Sequence, residues 1–320
     1  ALGTPADPGL APALAGPWRL TPADHLVAAI AQAPAGAEIA LPAGTWRLTA
    51  PLRLERPVTL TGAGPGLTRL IGPEAGGATV IVDAGPGDRV AIHDLAIALT
   101  PATEGVRVTG GTLALQGVHL AGPARTGALR VEGPGQLEAR ACELTGTAGS
   151  GLRLLAGARA TLTDVVLAGH AGFGLFASGD AEVEATGLIA RGNGRGGIAV
   201  DGAKATLAGG RLTANGRRGV VVWAQGACSL RDHQVDGNFG PGIEIISSLC
   251  VRGPGAAGEW GSPGVQLVAN RCNGNRGPGI LVGERVRLIH ADYTAIPLPD
   301  HSVDYAYAIE SACHASGPDK

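Results

Sequence analysis

The chain has 320 residues, and 53 of them are glycine, well above the roughly 7% of average proteins. No Gly-x-y period accompanies the glycines, so the composition excludes collagen and indicates many tight turns. The net charge of −2 gives no electrostatic argument for a nucleic acid or membrane partner, and we expect neither. No run of about 18 apolar residues occurs, so we expect no membrane-spanning helix.

Residues 1–37 are predicted to form a lead-in rich in proline and alanine, followed by an N-terminal capping helix. Thr21 suits the N-cap position of this helix, and Pro22 suits its first helical position. The apolar side chains then fall on one face: Leu26, Ala29, Ile30 and Ala33. A helix with one apolar face needs a partner, so we expect it to cover the open end of the structure that follows.

From Glu38 the apolar pattern changes from helical to alternating, as is typical of short strands between turns. From Gly105 a glycine followed by a short alternating strand returns every 22 or 23 residues. The middle residues of these strands are Arg107, Arg130, Arg153, Phe176, Ala199, Val221 and Glu244. A fixed period of this length is typical of stacked repeats. Each unit holds three short strands, so residues 38–283 are predicted to form about ten coils with three parallel sheets.

This pattern resembles the right-handed parallel β-helix superfamily, which has the pectin-lyase-like fold. The segment DHLVAAIAQAPAGAEIALPAGTWRL, from Asp24 to Leu48, is similar to the cap and first coil of that superfamily. The resemblance implies an all-β fold, a right-handed parallel β-helix of three sheets with an N-terminal capping helix. It does not imply one activity, because the fold hosts lyases, hydrolases, esterases, epimerases and proteins that are not enzymes.

The repeat predicts an outward column that begins with three arginines, Arg107, Arg130 and Arg153. Such a column can bind an anionic polymer, because arginine binds carboxylate or sulfate through two hydrogen bonds. The alternative is a solvated face with ion pairs to acids such as Glu132. Two tryptophans, Trp223 in the repeat and Trp260 in an insertion at residues 249–264, could add aromatic faces on which sugar rings stack. The candidate substrate-binding residues are therefore Arg107, Arg130, Arg153, Trp223 and Trp260.

Three carboxylates are candidate catalytic residues near the same predicted surface. Glu244 lies in the outward column, Asp201 lies two residues beyond the middle of its strand, and Glu259 lies in the insertion. Paired carboxylates can act as acid and base on a glycosidic bond, whereas the alternative is that all three are ordinary solvated side chains. The catalytic motifs of polygalacturonases, pectate lyases, pectin esterases and alginate epimerases are not present, which favours a protein without activity. We expect no metal site and no cofactor.

Other polar residues receive structural interpretations. Asn193, Asn215, Asn238 and Asn275 occupy equivalent predicted corners, where asparagine bonds neighbouring backbone groups. His233 is predicted to be a hydrogen-bonded core residue, and His170 has no companion at a useful spacing. Of the five cysteines, Cys228 and Cys250 could form a disulfide across adjacent coils, or the cysteines are buried free thiols.

Residues 284–320 are predicted to be a separate C-terminal tail or cap, because the glycine period ends there. The segment HADYTAIPLPDHSVDYAYAIESACHA, from His290 to Ala315, resembles part of a sterol C-24-type S-adenosylmethionine-dependent methyltransferase. The resemblance implies that Asp292 would contact the adenine. The upstream glycine-rich loop is missing, however, so we interpret the tail as a fusion remnant or truncated domain that caps the last coil.

Together these features predict a non-catalytic, extracytoplasmic β-helix protein that binds a glycan or serves as a surface scaffold. The expected partner is an acidic or neutral polysaccharide, and the expected location is secreted, periplasmic or on the cell surface. The alternative is a polysaccharide lyase or glycoside hydrolase that acts in a groove near Glu244. The sequence does not predict the sugar or the oligomeric state.

Overall fold

The computed structural model describes residues 18–21, 25–74, 77–101, 103–223, 226–246 and 265–282. Within these residues the chain forms a solenoid of three sheets in which every pair of neighbouring strands is parallel, with one short helix. We name the sheets A, B and C, in the order in which each coil passes through them. The predicted all-β architecture of three parallel sheets and about ten coils is confirmed. The predicted site residues Glu259 and Trp260, together with Cys250, Cys313 and the tail, lie outside the described residues.

Sheet A has eleven strands among the described residues. In chain order they are Trp18–Arg19, Ala37–Leu41, Val58–Gly62, Arg89–His93, Thr112–Gln116, Gln136–Arg140, Arg159–Thr163, Glu182–Thr186, Lys204–Ala208, Ala227–Arg231 and Val265–Val268.

Sheet B has eight described strands and sheet C has ten. The strands of sheet B are Gly44–Arg47, Thr68–Ile71, Ala96–Ala98, His119–Ala121, Glu143–Thr145, Val166–Ala168, Ile189–Arg191 and Arg211–Thr213. The strands of sheet C are Leu52–Leu54, Gly77–Asp83, Thr103–Gly110, Gly127–Val131, Ser150–Leu154, Phe173–Ser178, Gly196–Asp201, Arg218–Val222, Ile243–Ile245 and Ile280–Val282.

The core lies in the column that the three sheets enclose. In the strand Gln136–Arg140, Leu137 and Ala139 point inward and are buried, whereas Glu138 and the two end residues point outward and are exposed. Strict alternation of this kind gives each coil an apolar inner face, and stacking the coils joins these faces into one core. Each leucine that this core removes from water contributes about 1.5–3 kcal/mol.

The helix α1 spans Leu26–Gln32 and covers the start of the solenoid as predicted. Its buried residues are Leu26 and Ile30, and it packs against the sheet C strand Leu52–Leu54. The predicted N-cap is wrong, because the helix begins later and His25 occupies that position without a side-chain hydrogen bond. Trp18 lies ahead of the helix but already pairs with Ile39 in sheet A, which the composition of the lead-in did not indicate.

The predicted alignment of the coils is confirmed by the strand register of sheet C. Arg107 pairs with Arg130, and Arg130 pairs with Arg153. The same column continues through Phe176, Ala199, Val221 and Glu244 to Leu281 in the last described strand. Neighbouring members of the column are therefore one strand spacing apart, about 4.8 Å.

The predicted asparagine ladder runs along the corner between sheets B and C. The Oδ1 atom of Asn215 accepts hydrogen bonds from the backbone N–H of Asn193 at 3.1 Å and from its Nδ2 at 3.0 Å. Asn238 and Asn275 repeat this arrangement on the next coils. The Nδ2 of Asn215 also donates to the carbonyl of Ala190 at 3.0 Å. The ladder therefore satisfies buried amides that a sharp corner would otherwise leave unpaired.

A glycine near the start of the later sheet C strands makes room for this ladder. A Cβ atom on Gly197 would lie 2.6 Å from the carbonyl oxygen of Gly219 and 3.1 Å from the Nδ2 of Asn215. The equivalent glycines face the equivalent asparagines of the following coils: Gly174, Gly219 and Gly242. The glycine repeat and the asparagine corners therefore depend on each other, since the missing side chain leaves space for the amide.

Cys142 and Cys228 are buried free thiols, and Cys272 is half-buried. Cys228 pairs in register with Ala205 on one side and Val265 on the other, which agrees with the interpretation of the cysteines as small core residues. Burial raises the pKa of the Cys228 thiol to about 12, so this group is not a nucleophile at neutral pH.

Candidate functional site

The outer face of sheet A carries an elongated groove that the sequence interpretation missed. Two depressions of about 260 and 320 Å³ lie on it and share the outward residues Glu138 and Thr161. The lining residues reach from Arg89 to Lys204 and Thr206, across six consecutive strands of the sheet. Six strands span five spacings, so the groove is about 24 Å long and runs parallel to the solenoid axis.

The groove is lined by hydroxyl side chains and by charged side chains of both signs. Its three carboxylates are Glu138, Glu182 and Glu184, and Arg159 and Lys204 line it beside them. Arg159 lies 3.6 Å from Glu182, and both side chains are about half exposed or more. Arg89 also forms an ion pair with Glu138. Exposed pairs of this kind contribute little stability, so the groups are free to exchange their partners for a ligand.

The spacing of the groove carboxylates follows from the register of the sheet. Glu138 pairs with Thr161, and Thr161 pairs with Glu184. Because two strand spacings separate the carboxylates, their Cα atoms are about 9.6 Å apart. Glu182 lies on the same strand as Glu184 and points to the same face, two residues away and thus about 6.6 Å. An alignment of the second strand of every repeat would have brought these residues together from sequence alone.

The outer face of sheet C carries the arginine column, and its charges are partly neutralised. Glu104 is buried and accepts a hydrogen bond of 2.7 Å from the Nε of Arg107. Arg130 is paired with Glu132 and lies 3.9 Å from Glu104. The predicted ion pairing by Glu132 is therefore present. Arg153 differs from both: among the described residues its half-buried side chain has no ion-pair or hydrogen-bond partner.

An aromatic cluster follows the arginines on the same face. The rings of Phe173 and Phe176 are stacked with centroids 6.2 Å apart. The ring of Trp223 meets both edge-on, at 5.8 Å from Phe173 and 6.4 Å from Phe176. The cluster covers Ala199 and Val221, which are fully buried although they point away from the solenoid interior. It is thus a second, external hydrophobic cluster, with Phe176 and Trp223 half-buried at its surface.

The two described catalytic candidates do not form a pair. Glu244 is in an ion pair with Arg218, and both side chains are mostly buried. Asp201 is exposed and pairs in register with Ser178. Two strand spacings and two residues separate Glu244 from Asp201, which places their Cα atoms about 12 Å apart. The catalytic role of Glu244, Asp201 and Glu259 remains a prediction.

The buried histidines belong to the structure rather than to either surface. His170 continues the asparagine ladder, because its backbone N–H donates to Asn193 Oδ1 at 3.1 Å. Its Nδ1 lies 2.8 Å from the hydroxyl of Thr147, and its Nε2 lies 2.9 Å from the carbonyl of Leu144. Burial lowers the pKa of His170 to about 4. His233 is buried as predicted, and burial also lowers its pKa.

Three parallel sheets stacked coil on coil, with polar columns on their outer faces, place this protein in the class of β-solenoids. The sequence matches the family of right-handed beta helix regions over residues 126–289. The chain therefore belongs to the right-handed β-helix family. A comparison with curated proteins finds no match.

Three solved structures illustrate the similarity of this chain to known β-helix proteins. The Azotobacter vinelandii mannuronan C-5 epimerase AlgE6 A-module has a TM-score of 0.63 and 18% identity, covering 77% of this chain and 71% of that one. The alginate lyase from Paenibacillus sp. str. FPU-7 has a TM-score of 0.59 and 14% identity, covering 82% and 98%. Bacteriophage CBA120 tailspike protein 2 has a TM-score of 0.64 and 12% identity, covering 84% and 46%. At these identities the likeness shows the fold alone.

In the part of the chain that the structure describes, no helix is long and apolar enough to cross a membrane. Within the same residues, no three histidine, cysteine, aspartate or glutamate side chains are grouped so that they could hold a metal ion.

Proposed function

We propose that this protein is an extracytoplasmic polysaccharide-binding β-helix whose ligand lies in the groove on sheet A. The observation that carries the proposal is the groove itself, which is open, about 24 Å long and lined by Glu138, Thr161, Glu184 and Lys204. A sugar polymer presents hydroxyl groups along its whole length, and a line of carboxylate, hydroxyl and ammonium groups can hydrogen-bond them at every coil. A surface scaffold without a ligand remains the alternative within the same class.

The named structural neighbours support this proposal. One acts on mannuronan and another on alginate, and both share the solenoid architecture of this chain. Their sequence identity of 18% and 14% transfers no residue role. The support is that this solenoid is a scaffold on which polysaccharide sites occur. Secretion, periplasmic location or display on the cell surface follows as part of the proposal, because such polymers are extracellular.

A second candidate function is hydrolysis or elimination of a glycosidic bond, and the groove carboxylates favour it. Glu138 and Glu184 face the same depression with Thr161 between them, at a Cα separation of about 9.6 Å. Inverting glycosidases hold their two carboxyl groups about 6.5–9.5 Å apart, which flexible glutamates at this spacing can reach. This pair suits acid–base chemistry better than Glu244, because the ion pair of Glu138 with Arg89 is half exposed, whereas that of Glu244 with Arg218 is mostly buried.

A glycan array followed by calorimetry on each hit tests the proposal. Thr161→Trp places an indole in the floor of the groove and is expected to weaken binding at least ten-fold. Thr145→Trp is the matched control, because Thr145 points outward from sheet B and lies on another face. Equal binding by both variants, or no hit at all, would contradict a ligand in the groove.

Assays for new reducing ends and for unsaturated products separate binding from catalysis. Product formation that disappears in both Glu138→Gln and Glu184→Gln would establish the enzymatic candidate. Binding without product from any hit would favour the non-catalytic proposal.

The methyltransferase resemblance stays a separate prediction, because residues 284–320 lie outside the described part of the chain. We propose no reaction for this segment. A calorimetric titration with S-adenosylmethionine tests it, and the absence of heat would remove the resemblance as a functional clue.

A further inference from the structure

We propose that the outer face of sheet C holds a second, separate site for a carboxylate-bearing sugar, with Arg153 as the anion-binding group and Phe176 and Trp223 as the stacking platform. This site lies on a different sheet from the groove. It does not require that the groove bind anything.

The charges along the arginine column do not balance. Arg107, Arg130 and Arg153 contribute three positive charges, and Glu104 and Glu132 neutralise two of them through ion pairs. Among the described residues, nothing pairs with the third, Arg153. Its side chain is half-buried, lying against Gly127 of the preceding coil, where a Cβ atom would approach its Cδ at 3.9 Å. An unpaired, partly desolvated guanidinium binds an anion more strongly than a fully solvated one.

The aromatic cluster lies on this same outer face. Three of the chain's ten Phe, Trp and Tyr residues meet there, although aromatic side chains make up only 3% of the sequence. Phe176 and Trp223 keep part of their ring surface exposed. Rigid aromatic faces are suited to the apolar face of a pyranose, because they cost little conformational entropy on binding.

The unpaired arginine and the aromatic platform are direct neighbours. Arg153 pairs in register with Phe176, so their Cα atoms are one strand spacing apart, about 4.8 Å. A single sugar ring stacked on Phe176 can therefore direct a carboxylate at C5 toward Arg153. The guanidinium fork matches a carboxylate through two parallel hydrogen bonds.

Other charges near the platform restrict how a ligand can be oriented and which charge it can carry. Asp201 is exposed on the coil between those of Phe176 and Trp223, two coils and two residues from Arg153, or about 12 Å. It repels an anion that points that way. The one positive charge among Arg107, Arg130 and Arg153 that no carboxylate neutralises matches a group that carries one negative charge, as a sugar carboxylate does.

The test compares two ligands that differ only in charge: oligogalacturonate and its fully methyl-esterified form. Calorimetry with the full chain is expected to give binding of the acid at least ten-fold tighter than that of the ester. Arg153→Ala should remove this difference. Arg53→Ala is the matched control, because Arg53 is an exposed arginine in the same column, paired in register with Ile81 and remote from the aromatic cluster. It should leave the difference intact.

Two further variants distinguish binding at this site from binding elsewhere on the protein. Phe176→Leu keeps an apolar cover over the cluster but removes the ring, and it should weaken acid and ester binding alike. Thr161→Trp blocks the groove on sheet A and should not change the preference for the acid. Near-ultraviolet circular dichroism checks that each variant is folded, and Arg153→Gln replaces Arg153→Ala if that variant is not.

Three outcomes would overturn the proposal. The first is equal affinity of the wild-type chain for acid and ester, and the second is no binding of the acid. The third is an equal loss in Arg153→Ala and Arg53→Ala, which would mean that only the overall positive charge attracts the ligand.

Discussion

At the scale of single residues, His170 shows how one side chain can replace another in a hydrogen-bond ladder. An asparagine in this corner accepts hydrogen bonds through Oδ1 from the preceding coil. It also donates a hydrogen bond through Nδ2 to a backbone carbonyl, as Asn193 does to that of Leu167. A neutral histidine with its proton on Nε2 does the same, since Nδ1 accepts from Thr147 and Nε2 donates to Leu144. A protonated ring would carry a hydrogen on Nδ1 and lose the acceptor.

The pH dependence of stability follows from this assignment. Burial lowers the pKa of His170 to about 4 from 6.5, so the unfolded chain binds the proton more readily. The stabilising contribution is complete above about pH 6.5 and is lost as the pH falls through about 4. For this residue the free energy of unfolding should drop by about 2 kcal/mol between pH 7 and pH 5. Urea unfolding at both values measures it.

His170→Asn is expected to fold and to flatten that pH dependence, because asparagine supplies the same acceptor and donor without a titrating group. The residual slope should come from other groups such as His233, whose pKa is also lowered. A variant that keeps the full loss between pH 7 and pH 5 would show that His170 is not the responsible residue.

At the scale of the repeating coil, the glycine and the ladder amide act together. Gly197→Ala forces a Cβ atom to within 2.6 Å of the Gly219 carbonyl, so we expect a loss of about 2 kcal/mol or more in the free energy of unfolding. Gly66→Ala is the control, because a Cβ atom there meets nothing within 4 Å. Urea unfolding followed by circular dichroism measures both, and equal stabilities would contradict the coupling of glycine to ladder.

Removing a side-chain amide from the ladder should lower the free energy of unfolding by more than the loss of one hydrogen bond would. Asn215→Ala leaves the backbone N–H and Nδ2 of Asn193 without their acceptor and the carbonyl of Ala190 without its donor. Unpaired buried groups cost about 1–3 kcal/mol each, so the expected destabilisation is at least about 3 kcal/mol. Asn215→Asp keeps the acceptor and removes the donor, and should lie between the wild-type chain and the alanine variant in urea unfolding.

The repeating coil also explains which features the sequence predicts and which it does not. The period of 22 or 23 residues predicted the register of sheet C, and the alignment of Arg107 with Arg130 and Arg153 followed from it. The aromatic cluster was not predicted, because Phe173 lies three residues before the aligned column and reaches Trp223 only through the stacking of two further coils. Aligning the second strand of each repeat would have grouped the residues of the sheet A groove. Its concavity arises from the packing of whole coils, so the alignment alone would not have revealed a depression.

At the scale of the whole molecule, the solenoid separates its functions by face. Its interior is one apolar column, so the outer faces alone can carry ligands. Sheet A presents the polar groove, and sheet C presents Arg153 beside an aromatic platform. The eleven strands of sheet A span ten spacings, so the described solenoid is about 48 Å long, enough for both faces to follow an extended polymer.

The most direct test of the proposed function is a crystal structure of the chain with an oligosaccharide identified on a glycan array. We predict sugar residues along the sheet A groove, with hydroxyl groups within hydrogen-bond distance of Glu138, Thr161 and Glu184. Sugar density that leaves this groove empty while the ligand is bound elsewhere on the protein would contradict the proposal.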